Sequence, residues 1–182
     1  MLRSVRIRMK RSDEPRVLIL GLDNAGKTTI LNTLRQNEGS SATPAAPEGP
    51  TQGFNTMELT RDGMRAKLCD LGGQRSIREF WKDYYNNTDC VIYVVDSSDT
   101  RRLEESHNTF QEILEGIPNV PVLVFANKQD LATSKTPEVI ATALELEEHR
   151  ERKWQIQGCS AKTSDGLEEG LKWVFSTCKA SS

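Results

Sequence analysis

Arg16-Val17-Leu18-Ile19-Leu20 runs into Gly21-Leu22-Asp23-Asn24-Ala25-Gly26-Lys27-Thr28-Thr29: an apolar run, a loop bounded by glycines, and a helix-patterned start. Four apolar residues ending at a glycine predict a buried strand. Between Lys27 and Gln36, residues Ile30, Leu31 and Leu34 recur at helical spacing. The loop between strand and helix fits G-x-x-x-x-G-K-[ST], the spacing of a P-loop. Its glycines let the backbone turn tightly, so that N–H groups at the helix start face an anion. Lys27 can reach terminal phosphates, and the Thr28 hydroxyl can ligate magnesium. Gly21, Asn24, Ala25, Gly26 and Thr29 complete the expected cradle. Asp23 is counted with them by position, although an acid has no reason to face phosphate; it reads as a turn residue or as a contact for a regulator.

Outward from this loop, strands and helices alternate. Strands are expected at Phe54–Thr60, Met64–Leu71, Cys90–Val95, Pro121–Ala126 and Lys153–Gly158. The first two read as a hairpin turning at Arg61-Asp62-Gly63. Helices are expected over Ser76–Asn86, around Leu103–Leu114, over Pro137–Leu146 and over Leu167–Cys178. Gln36–Pro50 holds three prolines among Asn, Gly, Ser and Ala, and predicts a functional loop. The pattern is that of an α/β P-loop NTPase: a six-stranded, mostly parallel sheet flanked by helices. One such domain is expected over 15–182, preceded by a basic arm over 1–14.

Two further segments follow strands, where ligands of parallel sheets gather. Asp70-Leu71-Gly72-Gly73-Gln74 places a carboxylate where it can hold magnesium through water. Gly73 can offer its N–H to a terminal phosphate, and uncharged Gln74 can orient a water. Asn127-Lys128-Gln129-Asp130 supplies a carboxylate able to accept from two N–H groups of a guanine edge, which adenine does not offer in that arrangement. Asn127 can bridge neighbouring loops, and the Lys128 stem can cover the base. Ser160 and Ala161 can bring a backbone N–H to the base oxygen. Neither segment is specific alone; their order behind a P-loop makes them so.

Of 182 residues, 36% are apolar and 27% charged, and no run approaches the ~20 apolar residues of a membrane helix. The N-terminal stretch is charged throughout and lacks the apolar core of a secretory signal. Four widely spaced cysteines, with no Cys-x-x-Cys, argue against a disulfide framework or zinc site and for a reducing, cytoplasmic setting. Five basic residues fall in the first eleven, leaving 19 basic against 26 acidic in the rest, a net of −7. So acidic a body is a poor nucleic-acid binder. Leu2 in place of Gly removes a myristoylation signal. Leu2, Val5 and Met9 share one helical face among basic residues, a weak peripheral membrane contact at most; a strand or a packed arm is equally open. His107 and His149 read as surface residues.

Gly21-Leu-Asp-Asn-Ala-Gly-Lys-Thr-Thr29, Pro50-Thr-Gln-Gly-Phe-Asn55, Asp70-Leu-Gly-Gly-Gln-Arg75, Phe125-Ala-Asn-Lys-Gln-Asp-Leu131 and Trp154-Gln-Ile-Gln-Gly-Cys-Ser-Ala161 resemble small GTPases, and within them the ADP-ribosylation-factor-like (Arl) GTPases. The resemblance spans roughly residues 15 to 178. It implies a switch that binds GTP or GDP with Mg2+ and hydrolyses GTP slowly. It also implies an activating protein, an exchange factor, and effectors that carry lipidated cargo, often toward cilia or flagella. Thr51 matches the threonine that closes on magnesium in the GTP state. Phe54, Cys69, Trp81 and Tyr84 fall on the implied effector face, although the spacing of Trp81 and Tyr84, three apart after Gln74, fits either core or a partner-facing patch. Family members usually carry tryptophan where this chain has Cys69, so roughly 100 Å² of contact is expected to be lost there. The loop before Thr51 is also longer than the family norm.

The implied catalytic group is Lys27, Gly73 and Gln74, with Thr28, Thr51 and Asp70 around the metal. No arginine is evident in cis, so slow turnover without a partner is expected. The alternative is a nucleotide-gated binding module with little hydrolysis and a diverged effector. A P-loop kinase fits less well, because the segments at Asp70–Gln74 and Asn127–Asp130 have no place in it.

Overall fold

The computed structural model describes residues 14–39 and 53–180. Thr51, most of the loop before it and nearly all of the basic arm lie outside the described residues.

Six strands form one sheet: β1 (Arg16–Leu20), β2 (Phe54–Arg61), β3 (Met64–Leu71), β4 (Cys90–Asp96), β5 (Val122–Asn127) and β6 (Trp154–Gly158). Their spatial order is β2-β3-β1-β4-β5-β6, with β2 antiparallel to β3 and all other pairs parallel. The chain leaves β1 first toward β3 and later returns to β4 on its other side, so the order reverses at β1. Ligands of open α/β sheets settle at the C-terminal strand ends beside such a reversal.

The flanking helices are α1 (Lys27–Asn37), α2 (Arg75–Arg78), α3 (Leu103–Gly116), α4 (Pro137–Ala143) and α5 (Leu167–Ala180). Both sheet faces are covered, which is why β1, β4 and β5 are continuous apolar runs rather than alternating ones. Val17, Ile19, Ile92, Val94 and Phe125 point to one side and meet Ile30, Leu31 and Leu34 of α1 and Leu171, Val174 and Phe175 of α5. Leu18, Leu20, Val91, Tyr93 and Val95 point to the other and meet Phe110 and Ile113 of α3 and Ile140 of α4. The β2–β3 turn has positive φ at Asp62 and Gly63, 52° and 78°, as a two-residue hairpin of matching twist requires.

Two expected helices end differently. The single helix expected over Ser76–Asn86 is a four-residue α2 continuing as a tighter 3-10 segment over Glu79–Tyr84. Its side chains fold back on the preceding loop: Trp81 Nε1 donates to the Gly72 carbonyl at 2.9 Å, and Arg78 Nε to that of Gly73 at 2.8 Å. The helix expected to reach Leu146 stops at Ala143; Glu145 turns left-handed at φ 55°, which lets Leu144 and Leu146 both enter the core. Trp173 is partly buried at the margin of the core. His149 is not a plain surface residue: its ring stands edge-on to Phe110, at 6.3 Å between centroids. None of the four cysteines forms a disulfide, and all are buried. No helix among the described residues is long and apolar enough to cross a membrane.

Candidate nucleotide site

The sheet register builds the site. Ile19 pairs with Asp70, so the end of β3 stands beside the strand that feeds the P-loop. Gly26 opens α1 in left-handed conformation at φ 99°, and a Cβ there would lie 2.3 Å from Asn127 Nδ2. Among the described residues no side chain caps α1, and its first turn carries no acid. Its leading N–H groups therefore present a positive helix end to the loop.

Lys27 is 5% exposed, and its Nζ donates to the Gly21 and Leu22 carbonyls at 3.1 and 2.8 Å. Burial pushes its ammonium down to about 8, with Asp70 and Asp23 opposing that fall. Thr28 Oγ1 donates to Asp70 Oδ2 at 2.6 Å, which ties α1 to β3. Asp70 is fully buried, and its Oδ1 makes no hydrogen bond of sound geometry among the described residues. Burial raises its carboxyl, opposed by the Thr28 hydroxyl, by Lys27 and by Asn55 across the hairpin. A buried carboxylate oxygen left open beside a threonine hydroxyl is an all-oxygen donor pair of the kind a hard divalent cation takes.

Gly73 lies against the P-loop. Its carbonyl accepts from Asp23 N at 3.1 Å, and a Cβ on it would stand 2.5 Å from Asp23 N and Gly21 O, so only glycine fits. Gln74 follows in extended conformation and leads into α2.

The residues expected to hold the base converge as struts. Asn127, 1% exposed, donates from Nδ2 to the Ala25 carbonyl at 2.9 Å and accepts from Ala161 N at 3.0 Å. Lys128 Nζ bridges the Asn24 carbonyl at 2.8 Å and Asp96 Oδ2 at 2.6 Å. Ser160 Oγ donates to Asp130 Oδ1 at 2.7 Å and leaves that exposed carboxylate aligned. Asn24 and Thr29 stand in the P-loop and the first turn of α1, as expected. The Asp23 side chain instead turns away, to Arg102 Nη2 at 2.8 Å, which holds its carboxyl below the usual range. Sequence reading missed Asp96, Arg78 and Arg102, which carry no motif and are ordinary charged residues until the fold brings them together.

The expected effector face needs correcting. Phe54 is 55% exposed and packs against Tyr84 at 5.9 Å between centroids. Trp81 and Cys69, however, are 2% and 6% exposed, in the core with Leu18, Leu20 and Leu71. The Trp81 indole is spent on the Gly72 carbonyl. Burial likewise pushes the Cys69 thiol above its ordinary range. Phe80, which the sequence reading passed over, is 55% exposed; with Ile77, Leu71, Asp83 and Tyr84 it lines a hollow of about 360 Å³.

Strand order, P-loop, carboxylate and base struts define a small GTPase. Comparison with known proteins places the chain further: it belongs to the ADP-ribosylation factor family, which it matches over residues 1–178. It is 49% identical over 172 residues to ADP-ribosylation factor-like protein 3 of Chlamydomonas reinhardtii, covering 93% of this chain and 94% of that one. It is 45% identical to ADP-ribosylation factor-like protein 3 of Caenorhabditis elegans, covering 93% and 90%. Among solved structures, the Arl6 BBS3 small GTPase from Trypanosoma brucei with bound nucleotide analogue GppNp matches with a TM-score of 0.80 and 33% identity, over 93% of this chain and 99% of that one. The chain is accordingly a GTP-binding switch and a GTP hydrolase.

Proposed function

We propose that the domain over 15–182 cycles between GDP and GTP with Mg2+ and engages effectors in the GTP state through the face at Phe54, Phe80 and Tyr84. Its output is release of lipidated cargo from soluble carriers, the role that the Arl resemblance implies. The observation that carries the switch reading is the adjacency of two features. The exposed apolar face continues, through Leu71, Gly72 and Gly73, directly into the loop that lies on the P-loop. A terminal phosphate that drew in the Gly73 N–H would therefore move the peptide from which this face is built.

Thr28 and Asp70, the latter through water, would hold Mg2+ together with Thr51, which lies outside the described residues. The metal supplies charge neutralisation across the phosphates. Within the chain, Lys27 releases its loop carbonyls and pairs with the terminal phosphates. The α1 N–H groups bind phosphate oxygens, Asn127 and Lys128 brace the base pocket, Asp130 accepts from the guanine edge, and Gln74 orients the attacking water. An activating protein speeds this step and an exchange factor reloads GTP. The basic arm adds a weak membrane contact, and ciliary or flagellar transport is the proposed setting.

The test is capture of lipid-cargo carriers by the chain loaded with a non-hydrolysable GTP analogue, against GDP loading. Capture only in the GTP state, lost in Phe80→Ser, is the expected result. Equal capture in both states would contradict the switch.

A further inference from the structure

We infer that Arg78 is a positioning residue for hydrolysis, acting by fixing the peptide between Gly73 and Gln74. The inference rests on the reading of Gln74 as the group that orients water. The Gly73 carbonyl accepts two hydrogen bonds, from Arg78 Nε at 2.8 Å and Asp23 N at 3.1 Å. That oxygen lies in the same rigid plane as the Gln74 N–H. The two bonds therefore set the direction in which the chain delivers Gln74.

The guanidinium is itself held. Its Nη1 meets Glu105 Oε1 at 3.0 Å and Thr109 Oγ1 at 3.5 Å, and the side chain is only 13% exposed. Its Nη2 stands 3.6 Å from Asp23 Oδ1 and has no hydrogen bond among the described residues. Arg102 closes the circuit by donating to Asp23 Oδ1 at 2.8 Å and Glu105 Oε2 at 3.0 Å. P-loop, α2 and α3 are thus joined by two arginines and two acids at the Gly73 peptide. A four-residue helix cannot fix its own orientation; the circuit does so. This cation stands in cis behind the peptide, where it places the water-orienting residue rather than contacting phosphate.

Arg78→Lys is the direct variant, because one ammonium keeps the charge but cannot reproduce a planar fork spanning Gly73 and Glu105. Single-turnover GTP hydrolysis by the full chain is measured with nucleotide dissociation and melting temperature, in wild-type and Gln74→Leu backgrounds. The expected result is a fall in hydrolysis of about tenfold, the scale of one charge-assisted hydrogen bond. Nucleotide dissociation stays within about twofold, and no further fall occurs in the Gln74→Leu background. Glu105→Gln, which loosens the anchor, gives a smaller fall in the same direction and serves alone if Arg78→Lys does not fold. Unchanged hydrolysis in the folded variants overturns the inference. So does a fall matched by faster nucleotide loss and lower melting temperature, or the full tenfold effect persisting without Gln74. Hydrolysis unaffected by Gln74→Leu alone would instead remove the Gln74 reading and this inference with it.

Discussion

Among the described residues, Lys27 has no carboxylate within hydrogen-bond reach; its Nζ rests on two backbone carbonyls, and burial pushes its ammonium down to about 8. Nucleotide phosphate would restore the charged form, so binding takes up a proton wherever the free protein has lost it. Affinity for GDP is therefore expected to be level below pH 8 and to fall as pH rises above it. Titration calorimetry in buffers of different ionisation heat checks this, and Lys27→Met should abolish the dependence along with much of the affinity. Asp130 makes the sharper case for the base: one oxygen is aligned by Ser160 and its side chain is otherwise exposed. Asp130→Ala is expected to weaken GDP binding about a hundredfold, the loss of two charge-assisted hydrogen bonds, while leaving melting of the free protein nearly unchanged. Competition with fluorescent GDP reads the first, and thermal denaturation the second.

Elements are tied at their ends by arginines. Arg61, at the end of β2, pairs with Glu38 beyond α1 and donates from Nε and Nη2 to both carboxylate oxygens of Glu168 in α5, at 3.2 and 2.8 Å. These groups are partly exposed, so Arg61→Ala should cost only about 1 kcal/mol, or 2–4 °C of melting temperature, shrinking in high salt. Arg61 holds the Glu168 carboxyl below its ordinary 4.5. Its contribution is thus complete above that pH and fades as acidity protonates the acid. Arg152 donates to the Leu114, Ile117 and Val120 carbonyls at the end of α3. Arg152→Ala leaves these unsatisfied and should cost about 2–3 kcal/mol, read by urea denaturation. Such long-range ties explain what the sequence hid. Strands β1, β4 and β5 were legible because burial on both faces writes an unbroken apolar run, and the P-loop because its chemistry needs glycine, lysine and threonine at fixed spacing. The break after α2 was not legible, because it depends on where Trp81 and Arg78 find carbonyls. Cys69 looked like a surface residue by family position, yet the β3 register turns it into the core.

At the scale of the molecule, one sheet edge carries the apolar face, the reversal at β1 carries the proposed phosphate cradle, and the β5 and β6 ends carry the proposed base struts. A ligand bridging the cradle and the struts must stabilise the whole domain by mass action. Guanine should do so where adenine does not, the outcome that follows from the proposal that Asp130 accepts from the N–H edge that distinguishes them. Competition for fluorescent GDP by unlabelled GDP and ADP, with magnesium present, tests this most directly. Displacement by GDP with ADP at least a thousandfold weaker is the expected result; equal displacement by both, or no binding of the labelled nucleotide, would contradict the assignment of this site to guanine nucleotides.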